Sequence, residues 1–139
     1  MLFAIAVLSV LLVNAGAQQQ ECILAEWLQE LYTKFFYDSN QNLIWNKHMS
    51  QHALEEVEEP GKYSKEGSPY LMLKSKRPFS KTDNLRLDQK VRKTIGSYSF
   101  LRHAKDLRRL AEGANFGCNG KETEEGDKEY MHIVCFFRN

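Results

Sequence analysis

Tyr130-Met131-His132-Ile133-Val134-Cys135-Phe136-Phe137 decides the fold. Side chains on a strand alternate between two faces, so Tyr130, His132, Val134 and Phe136 share one face and Met131, Ile133, Cys135 and Phe137 the other. Both sets are mostly apolar. A strand apolar on both sides belongs in a sheet that is covered on both sides, and helices are the usual cover. The last strand therefore predicts an α+β chain with helices packed on a small, mostly antiparallel sheet.

Working back from that strand, residues 119–129 are charged and contain glycine, and read as a surface loop. Ala114 to Cys118 reads as the preceding strand, which makes a closing hairpin. Before it, Phe100, Leu101, Ala104, Leu107, Arg108 and Ala111 keep helical period, with Ser97 or Ser99 as the cap and Gly113 as the stop. Towards the N-terminus, residues 21–37 carry Leu24, Trp27, Leu28, Leu31 and Phe35 at helical spacing, with Ile23, Tyr32 and Phe36 beside them. Leu43-Ile44-Trp45 is a short apolar step into a second helix. Asn46 is its N-cap, Met49, Ala53, Leu54 and Val57 are its inner stripe, and Pro60-Gly61 is its end. Between Gly61 and Thr94 the signal thins. Tyr70 to Leu73 is a short strand opened by Pro69, and Leu85, Leu87 and Val91 fit a short helix or a loop equally.

The N-terminus points to the compartment. Leu2 to Val13 is an almost unbroken apolar run, interrupted only by Ser9 and short of a membrane span, and Ala15-Gly16-Ala17 is a small-x-small cleavage site. Residues 1–17 read as a signal peptide and 18–139 as one secreted domain. A formal net charge of +1 gives no global electrostatic reason to seek nucleic acid. The basic residues from Arg102 to Arg109 alternate with leucines, as on the wet face of a helix. No second apolar run is long enough to span a membrane.

Cys22, Cys118 and Cys135 are the only cysteines. Outside the cell at least one pair is expected, with one thiol left over. Cys118 and Cys135 end the two strands of the hairpin, and a bridge there contributes roughly 3 kcal/mol by chain entropy. Cys22 is then the odd thiol, either buried or a handle for a disulfide-linked partner.

Three stretches resemble the CAP superfamily (cysteine-rich secretory, antigen 5 and pathogenesis-related proteins, with the SCP domain). Leu43-Ile44-Trp45-Asn46 followed by Met49 and Ala53 is similar to the segment that opens a family helix. A helix bearing His103 followed by Gly117-Cys118, and the closing Ile133-Val134-Cys135-Phe136-Phe137, are similar to the family's last helix and strands. The resemblance implies a shortened α-β-α sandwich, a Cys118–Cys135 bridge, and His103 as the remnant of a cleft that holds a metal in other members. The departures are large. Ala104-Lys105-Asp106 follows His103 in place of Thr-Gln, no Gly-Glu-Asn occurs, and a single surviving ligand cannot hold a metal.

Other chemistry is sparse. His48 and His52 lie one helical turn apart, as in a zinc protease, but Met49 stands where the catalytic Glu belongs and no third ligand announces itself. No Gly-x-Ser-x-Gly is present. Glu55-Glu56 with Glu58-Glu59 reads as a solvated acidic face. Trp27, Phe35, Phe36, Phe136 and Phe137 read mainly as core. No catalytic residue, metal or cofactor is expected. The function expected is a secreted non-enzymatic protein that binds an extracellular protein through surface loops or an apolar groove. Alternatives are a sterol or lipid carrier, and an unrelated small secreted domain with a disulfide.

Overall fold

The computed structural model describes residues 25–63 and 67–139, apart from the side chain of Tyr98. The signal peptide and Cys22 lie outside the described residues. Along the chain run α1 (Glu26–Tyr37), β1 (Ile44–Trp45), α2 (Lys47–Glu58), β2 (Leu71–Ser80), α3 (Leu87–Ile95), α4 (Tyr98–Leu101), α5 (Ala104–Arg108), β3 (Asn115–Glu125) and β4 (Lys128–Arg138). They form a four-stranded sheet in the order β1-β3-β4-β2. β1 runs parallel to β3, and β4 is antiparallel to both β3 and β2.

β4 is the deciding strand because it has a neighbour on each edge and helices on each face. Met131, Ile133, Cys135 and Phe137 enter one apolar cluster with Tyr32, Phe36, Val91, Ile95, Phe100 and Leu107. Val134 and Phe136 enter a second with Met49 and Ala53. So α2 covers one face, and α1, α3, α4 and α5 cover the other. The α+β class with helices on both faces of the sheet holds.

The hairpin is longer than the sequence led us to expect. Residues 119–129 are strand rather than loop: β3 continues through Glu125 and pairs with β4 residue by residue from Asn115↔Arg138 to Glu125↔Lys128. Only Gly126 and Asp127 turn the chain. Gly126 has φ +65°, as the first central residue of a tight two-residue hairpin turn requires. Charge hid this strand, because beyond Cys118 its side chains are largely polar on both faces. Cys118 and Cys135 face each other across the ladder with a Cα–Cα distance of 4.1 Å, and their disulfide is buried in the larger cluster.

β2 is also longer than Tyr70 to Leu73, taking in Lys74, Lys76, Arg77 and Pro78. It is an edge strand, and lysines and a proline there discourage pairing with a further strand. α3 resolves the ambiguity at Leu87 and Val91 as a helix. The single helix expected from Ser97 to Gly113 is two short ones. The backbone of His103 (φ −95°, ψ 7°) interrupts it, and the buried Phe100 and Leu107 lie on either side.

α2 approaches the sheet backbone to backbone. A Cβ on Gly117 would lie 2.3 Å from the Ser50 amide nitrogen and 2.7 Å from the Met49 carbonyl carbon, so only glycine fits. Polar contacts hold this approach. The Asn46 N–H donates to the Phe116 carbonyl at 2.7 Å, and the Asn46 side chain caps the Met49 N–H at 3.1 Å. The Ser50 hydroxyl donates to the Cys118 carbonyl at 2.8 Å, and the Asn119 amide donates to the Ser50 carbonyl at 3.3 Å.

Candidate functional site

The acidic run at the end of α2 is not one solvated face. Glu58 and Glu59 are exposed, but Glu56 is 1 % exposed. Its carboxylate accepts the N–H groups of Gly61 (2.9 Å) and Tyr63 (2.7 Å) and pairs with the Lys74 ammonium, which ties the turn after α2 to β2. A buried carboxylate is tolerated when donors satisfy its oxygens. Glu55, next to it, accepts the Tyr63 hydroxyl at 2.6 Å and pairs with Lys62 at 2.8 Å. Hydrogen bonds from Lys62 and then Tyr63 hold the Glu55 carboxyl below the usual range. Burial first, and the bond to Glu55 second, push the Tyr63 phenol up to about 12. Its proton is held rather than poised for transfer.

The histidines do not converge. His52 stacks on Tyr63 with ring centroids 4.9 Å apart, and its Nδ1 lies 3.2 Å from the Tyr70 hydroxyl. His48, one turn earlier, is exposed. His103 sits beyond the opposite face of the sheet, with Nδ1 3.0 Å from Asp106 and Nε2 accepting from Arg102 at 3.3 Å. His132 meets the Thr123 hydroxyl at 2.9 Å on the hairpin. Burial, and then the charge of Lys76, hold its pKa below the ordinary histidine value. Among the described residues no three His, Cys, Asp or Glu side chains are placed to share a metal ion.

Most of the strongly exposed large apolar side chains among the described residues, in contrast, lie around α1. Trp27 is 44 % exposed, Tyr37 53 %, Leu87 40 % and Leu101 59 %, and Ile44 on β1 stands apart at 53 %. The inner side of α1 packs Tyr32 and Phe36 into the core, where the Phe36 ring meets those of Phe100, Phe116 and Phe137 at 6.2, 6.0 and 5.1 Å. On one flank of the helix, Trp27 and Leu31 face Leu87 of α3 across a groove of about 480 Å³, rimmed by Glu30, Lys34, Asp88 and Arg92. On the other flank, Phe35, Phe36, Phe100, Leu101, Ala104 and Leu107 line a second groove of about 320 Å³. α1 is a ridge between two furrows, the first with a charged rim and the second mainly apolar.

Trp27 is therefore a correction to the expected core. It sits on the stripe 27-30-34-37, one side away from Leu28, Tyr32, Phe35 and Phe36. Phase on the helical wheel separates the two stripes, and composition alone does not.

Residues 31–139 match the family model for the 15 kDa excretory/secretory protein. The chain is 46 % identical over 78 residues to the 11 kDa excretory-secretory protein of Trichostrongylus colubriformis, covering 56 % of this chain and 77 % of the relative. It is 27 % identical over 146 residues to the 15 kDa excretory/secretory protein of Haemonchus contortus, covering 99 % and 97 %. No solved structure matches. The chain belongs to the 15 kDa excretory/secretory protein family and is a secreted protein, as its N-terminal residues led us to expect.

This overturns the CAP resemblance, to which neither the family match nor the relatives point. The stretches that carried it have local causes. Trp45-Asn46 is a strand end and a cap, Gly117 is a close approach, and Cys118 with Cys135 is a cross-strand bridge. The role of His103 as a cleft remnant was implied by that resemblance alone.

Proposed function

We propose that this secreted chain acts without catalysis, by binding another extracellular protein through the apolar surface around α1. The observation that carries the reading is the placement of Trp27, Tyr37, Leu87 and Leu101 on and beside one helix, where they border two grooves. Scattered apolar residues on a surface are ordinary, but a group of large ones around a ridge fits a contact surface. Aromatic anchors beside grooves are also the usual form of a protein–protein hot spot. Support for a non-catalytic role comes from the titratable groups. His52, Tyr63, His103 and His132 each bond a local partner (Tyr70, Glu55, Asp106 and Thr123) at separate places in the fold.

A photo-cross-linking residue placed at Leu101, in the secreted mixture to which the protein belongs, tests this reading. Protein adducts from Leu101, and none from the same label at Thr123 on the hairpin, are the expected result. Native mass spectrometry that finds stoichiometric sterol or fatty acid, together with no protein adduct from Leu101, would instead make the grooves a carrier site.

A further inference from the structure

The outer stripe of α1 has an order of its own. Trp27, Glu30, Lys34 and Tyr37 are all exposed and follow one another at spacings of three, four and three residues. At 3.6 residues per turn they share a narrow seam, the spacing by which one helix lies along another. Read in either direction, the seam begins and ends on an aromatic ring, but acid and base exchange places. A copy of the helix laid antiparallel, centred at the level of Tyr32, sets Trp27 against Tyr37 and Glu30 against Lys34, each twice. A parallel copy sets Glu30 against Glu30 and Lys34 against Lys34.

We infer that this surface pairs with a second copy of the chain, with the two α1 helices antiparallel about a two-fold axis. The inference deepens the contact-surface reading by naming the partner, and rests on that reading. A two-fold interface must be complementary to itself, and this seam is. Glu30 and Lys34, though one turn apart, make no ion pair with each other or with any other described residue, so both charges are available to a facing copy. Tyr37 of the second copy falls beside Trp27, at the mouth of the 480 Å³ groove where Leu31 and Leu87 offer it apolar wall. A single helix pair buries less than the about 800 Å² per partner of a standard stable interface, so the dimer is a weak one.

Sedimentation equilibrium of the secreted chain from about 1 µM to about 1 mM tests it, with the surface variants E30K, K34E and the exchange E30K/K34E. Each variant is first checked for an unchanged circular dichroism spectrum. The wild type is expected to dimerise within that range. Either single reversal sets like charges face to face in both symmetric contacts and should weaken dimerisation at least about tenfold. The exchange restores opposite charges and should return it to within about threefold of wild type. A foreign partner's surface would not follow the exchange. A chain that stays monomeric throughout, a dimer indifferent to both reversals, or an exchange that fails to rescue overturns the inference. Self-pairing lost while Leu101 still captures another protein leaves the contact-surface reading standing. Loss of both ends that reading too.

Discussion

α1 and α2 are both twelve-residue helices laid on opposite faces of one sheet, and different chemistry holds each of them. α2 is fixed by polar and steric detail: the cap at Asn46, the Ser50 and Asn119 hydrogen bonds, the bare Gly117 beneath it, and the buried Glu56 at its far end. Its apolar cluster is small, and no large apolar side chain of α2 is among the strongly exposed ones. α1 is fixed almost wholly by packed rings. Its apolar surface continues past what the core needs and reaches solvent at Trp27 and Tyr37. A helix held by directional contacts has one seat on the sheet. A helix with apolar surface to spare can be both core and contact surface. That difference makes α2 a matter of architecture and is what the proposed contact role of α1 rests on.

The sharpest way to break the comparison is at Gly117. If the seat of α2 is steric, Gly117→Ala forces backbone apart and should cost about 5 kcal/mol or leave the chain unfolded, read by urea unfolding. A loss below about 1 kcal/mol would mean that α2 slides freely and that its polar contacts are incidental. The next test is at the other end of the helix. Glu56→Gln keeps the shape but offers an amide NH₂ to one of two backbone donors and removes the charge facing Lys74. A loss of about 2 kcal/mol is expected, with the hydrogen exchange of the Gly61 and Tyr63 amides accelerated. An unchanged exchange rate would return the acidic run to the solvent-facing role its composition implied.

Much of the architecture was legible in the sequence, because it follows from short-range rules. The two-sided apolar pattern of residues 130–137 gave the covered central strand. Asn46 gave the start of α2, Pro60-Gly61 its end, and the hairpin reading the partner of Cys118. What escaped were elements whose pattern depends on neighbours far along the chain. The outer half of β3 is polar because helices do not cover both its faces, so it looks like loop until its pairing with β4 is known. β2 carries lysines and proline because it is an edge, and edge position is a property of the sheet. Glu56 looks like its exposed neighbours until the N–H groups of residues 61 and 63 fold back onto it. At the candidate site, the apolar stripe 24-27-28-31-35 carries Trp27 into the expected core, but the face that packs is turned toward Tyr32 and Phe36 and leaves Trp27 at the solvent edge. The CAP resemblance failed for a related reason. Caps, close-approach glycines and cross-strand disulfides are general solutions, and three of them in order do not make a family.

The smallest expected effect gives the most direct test of the central claim, that the inner side of α1 holds the fold and the outer side is free for contact. It is the urea midpoint of Trp27→Ala, read beside Phe36→Ala, for which a buried ring predicts a loss of about 3–5 kcal/mol. The account predicts that Trp27→Ala changes stability by less than about 0.5 kcal/mol, as removal of an exposed side chain should. A loss comparable with that of Phe36→Ala would put Trp27 in the core, remove the ridge between the grooves, and contradict the account.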